Sequence, residues 1–203
     1  MVGLMSFDGI FADISVMAIL RGLSPAETVS VAGRLWDAGV TALEVPIGEP
    51  SQVASLRAAV AAAEERGLRV GAGTVITAEQ VRVAADAGAQ YTVAPGFDPR
   101  VLAASLAAGL PHLPGVGTAT EVQHAWLAGC RWLKAFPAAA LGPGWISALH
   151  GPFPAARFVA TGGITVATAP EFLAAGARVV ALGAALADPA QRDRIRTLVS
   201  SGS

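Results

Sequence analysis

Lysine is almost missing from this chain. Of 203 residues, 14 are basic, and Lys134 is the single lysine among them; the rest are arginines. Charge of either sign is scarce, at 14% of residues with a formal net charge of −1. Such a balance offers no field to gather nucleic acid or to hold the chain on an anionic membrane. Cysteine is just as scarce. Cys130 stands alone and cannot close an internal disulfide, so a reducing cytoplasm is the expected compartment. No apolar run reaches the roughly 18 residues of a membrane span. The N-terminus lacks the basic start and small-residue cleavage site of a secretory signal. A complete dinucleotide fingerprint is also lacking. Gly71-Ala72-Gly73 opens one, but Ile76 fills the slot of the third glycine. His112, His124 and His150 show no metal-ligand spacing with one another or with Cys130, so no metal or other cofactor is expected.

What the chain does have is apolar mass, at 53% hydrophobic residues, enough for one domain spanning residues 1–203. So little charge on that mass points to some apolar surface being covered by a partner subunit. A short amphipathic helix is expected over residues 3–14. From residue 16 onward, short apolar runs alternate with helical patterns. Strands are expected at 16–20, 41–45, 68–72, 91–94, 111–114, 131–137, 157–160 and 178–182. Ser24-Pro25, Thr77, Asp98-Pro99 and Thr118 read as helix starts. Ala-Gly pairs at 38–39, 87–88, 128–129 and 175–176 read as helix stops. Residues 142–154, rich in Gly and Pro, read as a looser connection, and a helix is expected from Thr165 to Gly176. Roughly eight strand–helix units demand parallel strands. They predict an α/β fold, a (β/α)8 TIM barrel, with an open doubly wound sheet as the alternative.

Catalytic groups of such a barrel stand at the C-terminal ends of strands. The residues there are Arg21, Glu44, Gly73, Thr74, Pro95, Lys134, Thr161-Gly162-Gly163 and Gly183. Lys134 sits between Leu133 and Ala135, with Trp132 and Phe136 outside them. Burying an unpaired ammonium is costly, and the same desolvation favours a neutral, nucleophilic amine able to form a Schiff base with a ketone. The plainer reading is a lysine whose stem packs while its head reaches water. Glu44, between Leu43 and Val45, is either a structural ion-pair partner of Lys134 or Arg21, or a general acid/base. Two such groups aimed at one mouth favour catalysis. The glycines after strands 7 and 8 suit backbone binding of phosphate.

Seven short motifs occur in order: Leu43-Glu44-Val45, Gly71-Ala72-Gly73-Thr74, Ala94-Pro95-Gly96, Leu113-Pro114-Gly115, Leu133-Lys134-Ala135-Phe136-Pro137, Gly151-Pro152-Phe153-Pro154 and Ala160-Thr161-Gly162-Gly163-Ile164. Across residues 16–186 the chain resembles the 2-keto-3-deoxy-6-phosphogluconate and 2-keto-3-deoxy-6-phosphogalactonate aldolases. The resemblance implies a homotrimeric class I aldolase with a barrel fold and no cofactor. It implies Lys134 as the Schiff-base lysine and Glu44 as the general acid/base. Thr74 would lie near bound pyruvate and Arg21 at the substrate mouth, with Pro95, Thr161, Gly162, Gly163, Gly183 and Ala184 completing the substrate site. The chain departs from the pattern at Ala184, where many members carry a serine that bonds the substrate phosphate. Ile47-Gly48-Glu49 likewise lacks an arginine common near the glutamate. Two other functions compete: an aldolase for unphosphorylated 4-hydroxy-2-oxoglutarate, and a phosphate-binding isomerase or epimerase using Glu44 and Lys134 without a covalent step. Trp145, in the looser segment, is weighed as a wall of the aldehyde pocket against a plain packing role.

Overall fold

The computed structural model describes residues 7–11 and 13–199. A short helix, α1 (Phe7–Ile10), comes first, so the expected N-terminal helix is present in part; residues 3–6 and 12 of that expectation lie outside the described residues. Then β1 (Val16–Ile19), α2 (Pro25–Asp37), β2 (Ala42–Pro46), α3 (Val53–Glu64), β3 (Arg69–Gly73), α4 (Ala78–Asp86), β4 (Thr92–Val93) and α5 (Pro99–Ala107) follow in strict alternation. The expected caps are in place. The Ser24 hydroxyl accepts the Glu27 amide while the Glu27 carboxylate accepts the Ser24 amide, and Thr77, Asp98 and Thr118 each hold a first-turn amide. The four Ala-Gly stops end their helices with the glycine at φ between 82° and 103°, a left-handed turn that a side chain would strain.

Pro114 divides the next strand into β5 (His112–Leu113) and β6 (Gly115–Val116), because proline has no amide to give to a ladder. The chain continues through α6 (Ala119–Leu127) and β7 (Trp132–Ala135). Residues 142–154 are not a loose connection. They lie largely in α8 (Pro143–His150), which follows the single turn of α7 (Ala138–Leu141). Pro143 starts α8, and Ile146 and Leu149, three apart, turn one face into the core. Next come β8 (Arg157–Thr161), α9 (Ala169–Ala174), β9 (Val179–Leu182) and α10 (Pro189–Val199). α9 starts four residues later than expected, since Thr165 and Thr168 bond each other in a turn instead.

All nine strands are parallel, in the order β5-β4-β3-β2-β1-β9-β8-β7-β6. The two ends of this order are neighbours in the chain, so β5 and β6 act as one broken stave and the sheet curls into a barrel. Side chains alternate in and out with the strand period of two. Leu43, Leu133, Phe158 and Leu182 face outward and pack under the helices with Leu35 and Leu56. Met17, Ile19, Tyr91, Val93, Leu113, Val159 and Val179 fill the interior. At the N-terminal end α1 plugs the barrel. Phe7 stacks on Phe11 at 5.1 Å, Phe11 packs on Trp132 at 5.1 Å, and Asp8 accepts the Trp132 indole N–H and pairs with Arg157. The other end is left open.

Candidate active site

Two inward-facing side chains at the C-terminal end are an ionisable acid and an ionisable base. Glu44 is on β2 and Lys134 on β7, four staves apart in an eight-stave ring, so they reach toward each other across the axis. Lys134 Nζ lies 4.0 Å from Glu44 Oε1, and both side chains are nearly sealed from solvent, at 7% and 1% exposure. That distance is too long for a direct hydrogen bond. Glu44 Oε1 has no hydrogen-bond partner among the described residues. A buried acceptor with no protein partner is the arrangement for a group that must bond something arriving from outside.

The neighbourhood makes room for these two groups. Gly71 and Gly73 are two apart on β3, so both face inward. A Cβ on Gly73 would stand 2.2 Å from Glu44 Oε1, and one on Gly71 would stand 2.1 Å from the Tyr91 ring. Only glycine therefore lets the carboxylate and the tyrosine lie against β3. Tyr91 donates its hydroxyl to the Leu43 carbonyl, one residue before Glu44. Burial, and then the Glu44 charge, push the Tyr91 hydroxyl far above its ordinary pKa, so it remains a donor. On the other side the Phe136 ring lies 5.4 Å from Lys134 Nζ. The sequence places Phe136 beside Lys134 and Gly73 at the mouth, and Gly71-Ala72-Gly73 reads there as an incomplete nucleotide fingerprint and as part of an aldolase motif; the space these glycines clear for Glu44 and Tyr91 is not part of that reading. The period-two spacing on a strand was the signal for their actual role.

The other expected site residues fall around the same mouth. Thr161 ends β8, two residues beyond Val159, which is in register with Lys134, and it is buried. Gly162 and Gly163 turn away from β8 with φ of 100° and 75°. A Cβ on Gly162 would press on Phe136 at 3.1 Å. Thr74, just past β3, holds φ at 59°, which a β-branched residue rarely adopts. Its hydroxyl lies 3.5 Å from Arg21 Nη2, beyond the end of β1. Arg21 also joins Gly183 and Ala184 in lining a cavity of about 360 Å³ whose other walls are Ile19, Leu20, Leu23, Val31 and Leu186. Pro95 is exposed beyond β4. Trp145 is not at the mouth. It sits on α8 and packs edge-on at 5.5 Å against Phe158, an outward-facing residue of β8, so it belongs to the layer between helix and barrel. Cys130 lies at the closed end before β7, and burial raises its thiol pKa to about 11.

A parallel barrel with one amine and one carboxylate buried face to face at its C-terminal mouth has the layout of a class I, Schiff-base aldolase. The sequence matches the family described as "KDPG and KHG aldolase" over residues 7–197, and the chain belongs to that family. It is 39% identical to a probable 2-dehydro-3-deoxy-6-phosphogalactonate aldolase of Rhizobium meliloti, across 86% of this chain and 82% of the relative. It is 41% identical to a 2-dehydro-3-deoxy-phosphogluconate aldolase of Treponema pallidum, across 81% and 78%. Among solved structures, the KDPG aldolase of Legionella pneumophila, with pyruvate captured as a covalent carbinolamine, superposes with a TM-score of 0.82 at 28% identity, over 96% of each chain. The protein is an aldolase, a carbon–carbon lyase.

Proposed function

We propose that the protein cleaves a 2-keto-3-deoxy-6-phospho sugar acid, of gluconate or galactonate configuration, to pyruvate and glyceraldehyde 3-phosphate, with Lys134 as nucleophile and Glu44 as acid/base. The observation that carries this reading is the 4.0 Å approach of Lys134 Nζ to a Glu44 oxygen that has no other partner among the described residues. Lys134, as the free amine, adds to the C2 ketone. Glu44 delivers the proton with which the carbinolamine hydroxyl leaves as water, and an iminium forms. The iminium draws the C3–C4 bonding pair as Glu44 takes the C4 hydroxyl proton, so the aldehyde departs and an enamine of pyruvate remains. Glu44 returns the proton to C3, and hydrolysis frees pyruvate. Thr74 and Thr161 flank the pyruvate carboxylate and Pro95 walls the mouth. Arg21 and the amides of Gly162, Gly163, Gly183 and Ala184 receive the phosphate end. The chain acts as a single-domain cytoplasmic homotrimer.

A second reading, an aldolase for unphosphorylated 4-hydroxy-2-oxoglutarate, is favoured by one feature. Ala184 brings no hydroxyl to the loop, and the cavity beside it is mostly apolar. Borohydride reduction with pyruvate tests the shared chemistry: a reduced pyruvate adduct is expected on the peptide holding Lys134. Its absence would overturn Lys134 as the nucleophile. Comparing kcat/KM for the phosphorylated and unphosphorylated substrates then separates the two aldolases.

A further inference from the structure

Arg21 is the cation at the mouth, yet little holds its side chain. It is exposed and makes no ion pair among the described residues. Its Nη2 donates to Thr74 Oγ1 at 3.5 Å, a long hydrogen bond. The direction of so loosely held a side chain is set at its backbone. Before Arg21, the Leu20 amide donates to the Glu44 carbonyl at 2.9 Å. Just after it, the Gly22 amide donates to Gln52 Oε1 at 3.1 Å. The Leu23 carbonyl then accepts the Ser55 hydroxyl at 2.7 Å, and Ser24 caps α2.

The Gly22 bond bears on Arg21 most directly. The peptide plane that carries the Gly22 N–H also carries the Arg21 carbonyl, so holding that N–H holds the ψ angle of Arg21. Gly22 itself takes a φ of 71°, where the chain turns toward α2. Gln52 stands at the cap position of α3, half-buried, and makes no side-chain bond to its own helix. Its carboxamide oxygen reaches the β1 loop instead, 30 residues away in the chain. Ser55, buried one turn into α3, holds the same loop at Leu23. With that second anchor in place, removing the Gln52 acceptor frees one peptide and leaves the rest of the loop tied to α3.

We propose that Gln52 is a positioning residue: it holds the Arg21–Gly22 peptide so that the Arg21 guanidinium stays at the mouth to receive the anionic end of the substrate. This rests on the part proposed above for Arg21. Steady-state kinetics in the condensing direction test it, with pyruvate and either glyceraldehyde 3-phosphate or glyceraldehyde, which has no anion. Gln52→Met keeps the side-chain length and removes the acceptor. KM for glyceraldehyde 3-phosphate should rise about three- to tenfold, the share of one neutral hydrogen bond, with kcat nearly unchanged. KM for glyceraldehyde should not move. In an Arg21→Ala background the same change should add nothing. If Arg21→Ala raises KM for the phosphorylated aldehyde and Gln52→Met does not, the proposal is overturned and the role of Arg21 stands. An effect of Gln52→Met that persists without Arg21, or that raises KM for both aldehydes alike, would mark a general loosening of the mouth and overturn it too. If Arg21→Ala itself spares KM for the phosphorylated aldehyde, the role of Arg21 falls and the proposal with it.

Discussion

At the scale of single residues, the proposed chemistry depends on one amine, one carboxylate and the space around them. Lys134→Arg keeps a cationic side chain but removes the amine that would add to a ketone. Turnover should fall to background with the circular dichroism spectrum unchanged; retention of a tenth of the activity would rule out the Schiff base. Glu44→Gln should cost on the order of 10²–10⁴ in kcat while borohydride still traps pyruvate slowly. Gly73→Ala probes the space. Its Cβ would land 2.2 Å from Glu44 Oε1, so the carboxylate must move. A displacement of that kind should lower kcat on the order of 100-fold and leave the trapped fraction unaltered. Of these residues, Lys134 and Glu44 were legible in the sequence, because an isolated charge in an apolar strand carries its own desolvation cost. The contact of Phe136 with the amine was not, and of the two β3 glycines only the period-two spacing was; that they clear space for Glu44 on β2 and Tyr91 ahead of β4 depends on which strands lie beside β3.

At the scale of elements, the regular strands and capped helices were readable, since Ser24, Thr77, Asp98 and Thr118 mark helix starts by local hydrogen bonding alone. The segment at 142–154 was not, because its Gly and Pro content hides α8, which Ile146 and Leu149 hold against the barrel through tertiary packing. The break of the fifth stave at Pro114 follows from a residue in plain view, yet its outcome as two paired halves depends on β4 and β7 lying on either side. The turn after β9 is the element on which substrate choice should depend. It begins at Gly183, and Ala184 opens its single turn of tight helix. Ala184→Ser adds a hydroxyl there. A hydrogen bond to a charged group contributes roughly 1.5–3 kcal/mol, or about tenfold to a hundredfold in affinity. KM for the phosphorylated substrate should fall accordingly and KM for 4-hydroxy-2-oxoglutarate should stay put. Equal changes in both would move the phosphate elsewhere.

For the whole molecule, acid stability should carry the signature of His112. Its ordinary pKa of 6.5 falls to about 4 in the folded chain. Between those values the unfolded chain holds a proton that the folded chain refuses, so unfolding takes up a proton and stability drops as pH falls. The contribution is complete above pH 6.5 and is lost by about pH 4, a decline of about 3 kcal/mol. Urea unfolding between pH 7 and pH 4.5 should show this slope, and His112→Gln should flatten it. The broken stave has a further consequence. Cutting the barrel at Pro114 leaves β1–β5 with Glu44, Arg21 and Thr74, and β6–β9 with Lys134 and Thr161. Neither portion holds both reacting groups. On the proposed mechanism, a nascent chain emerging from the ribosome carries the acid long before the amine, and carbon–carbon cleavage begins only when the second half has closed on the first.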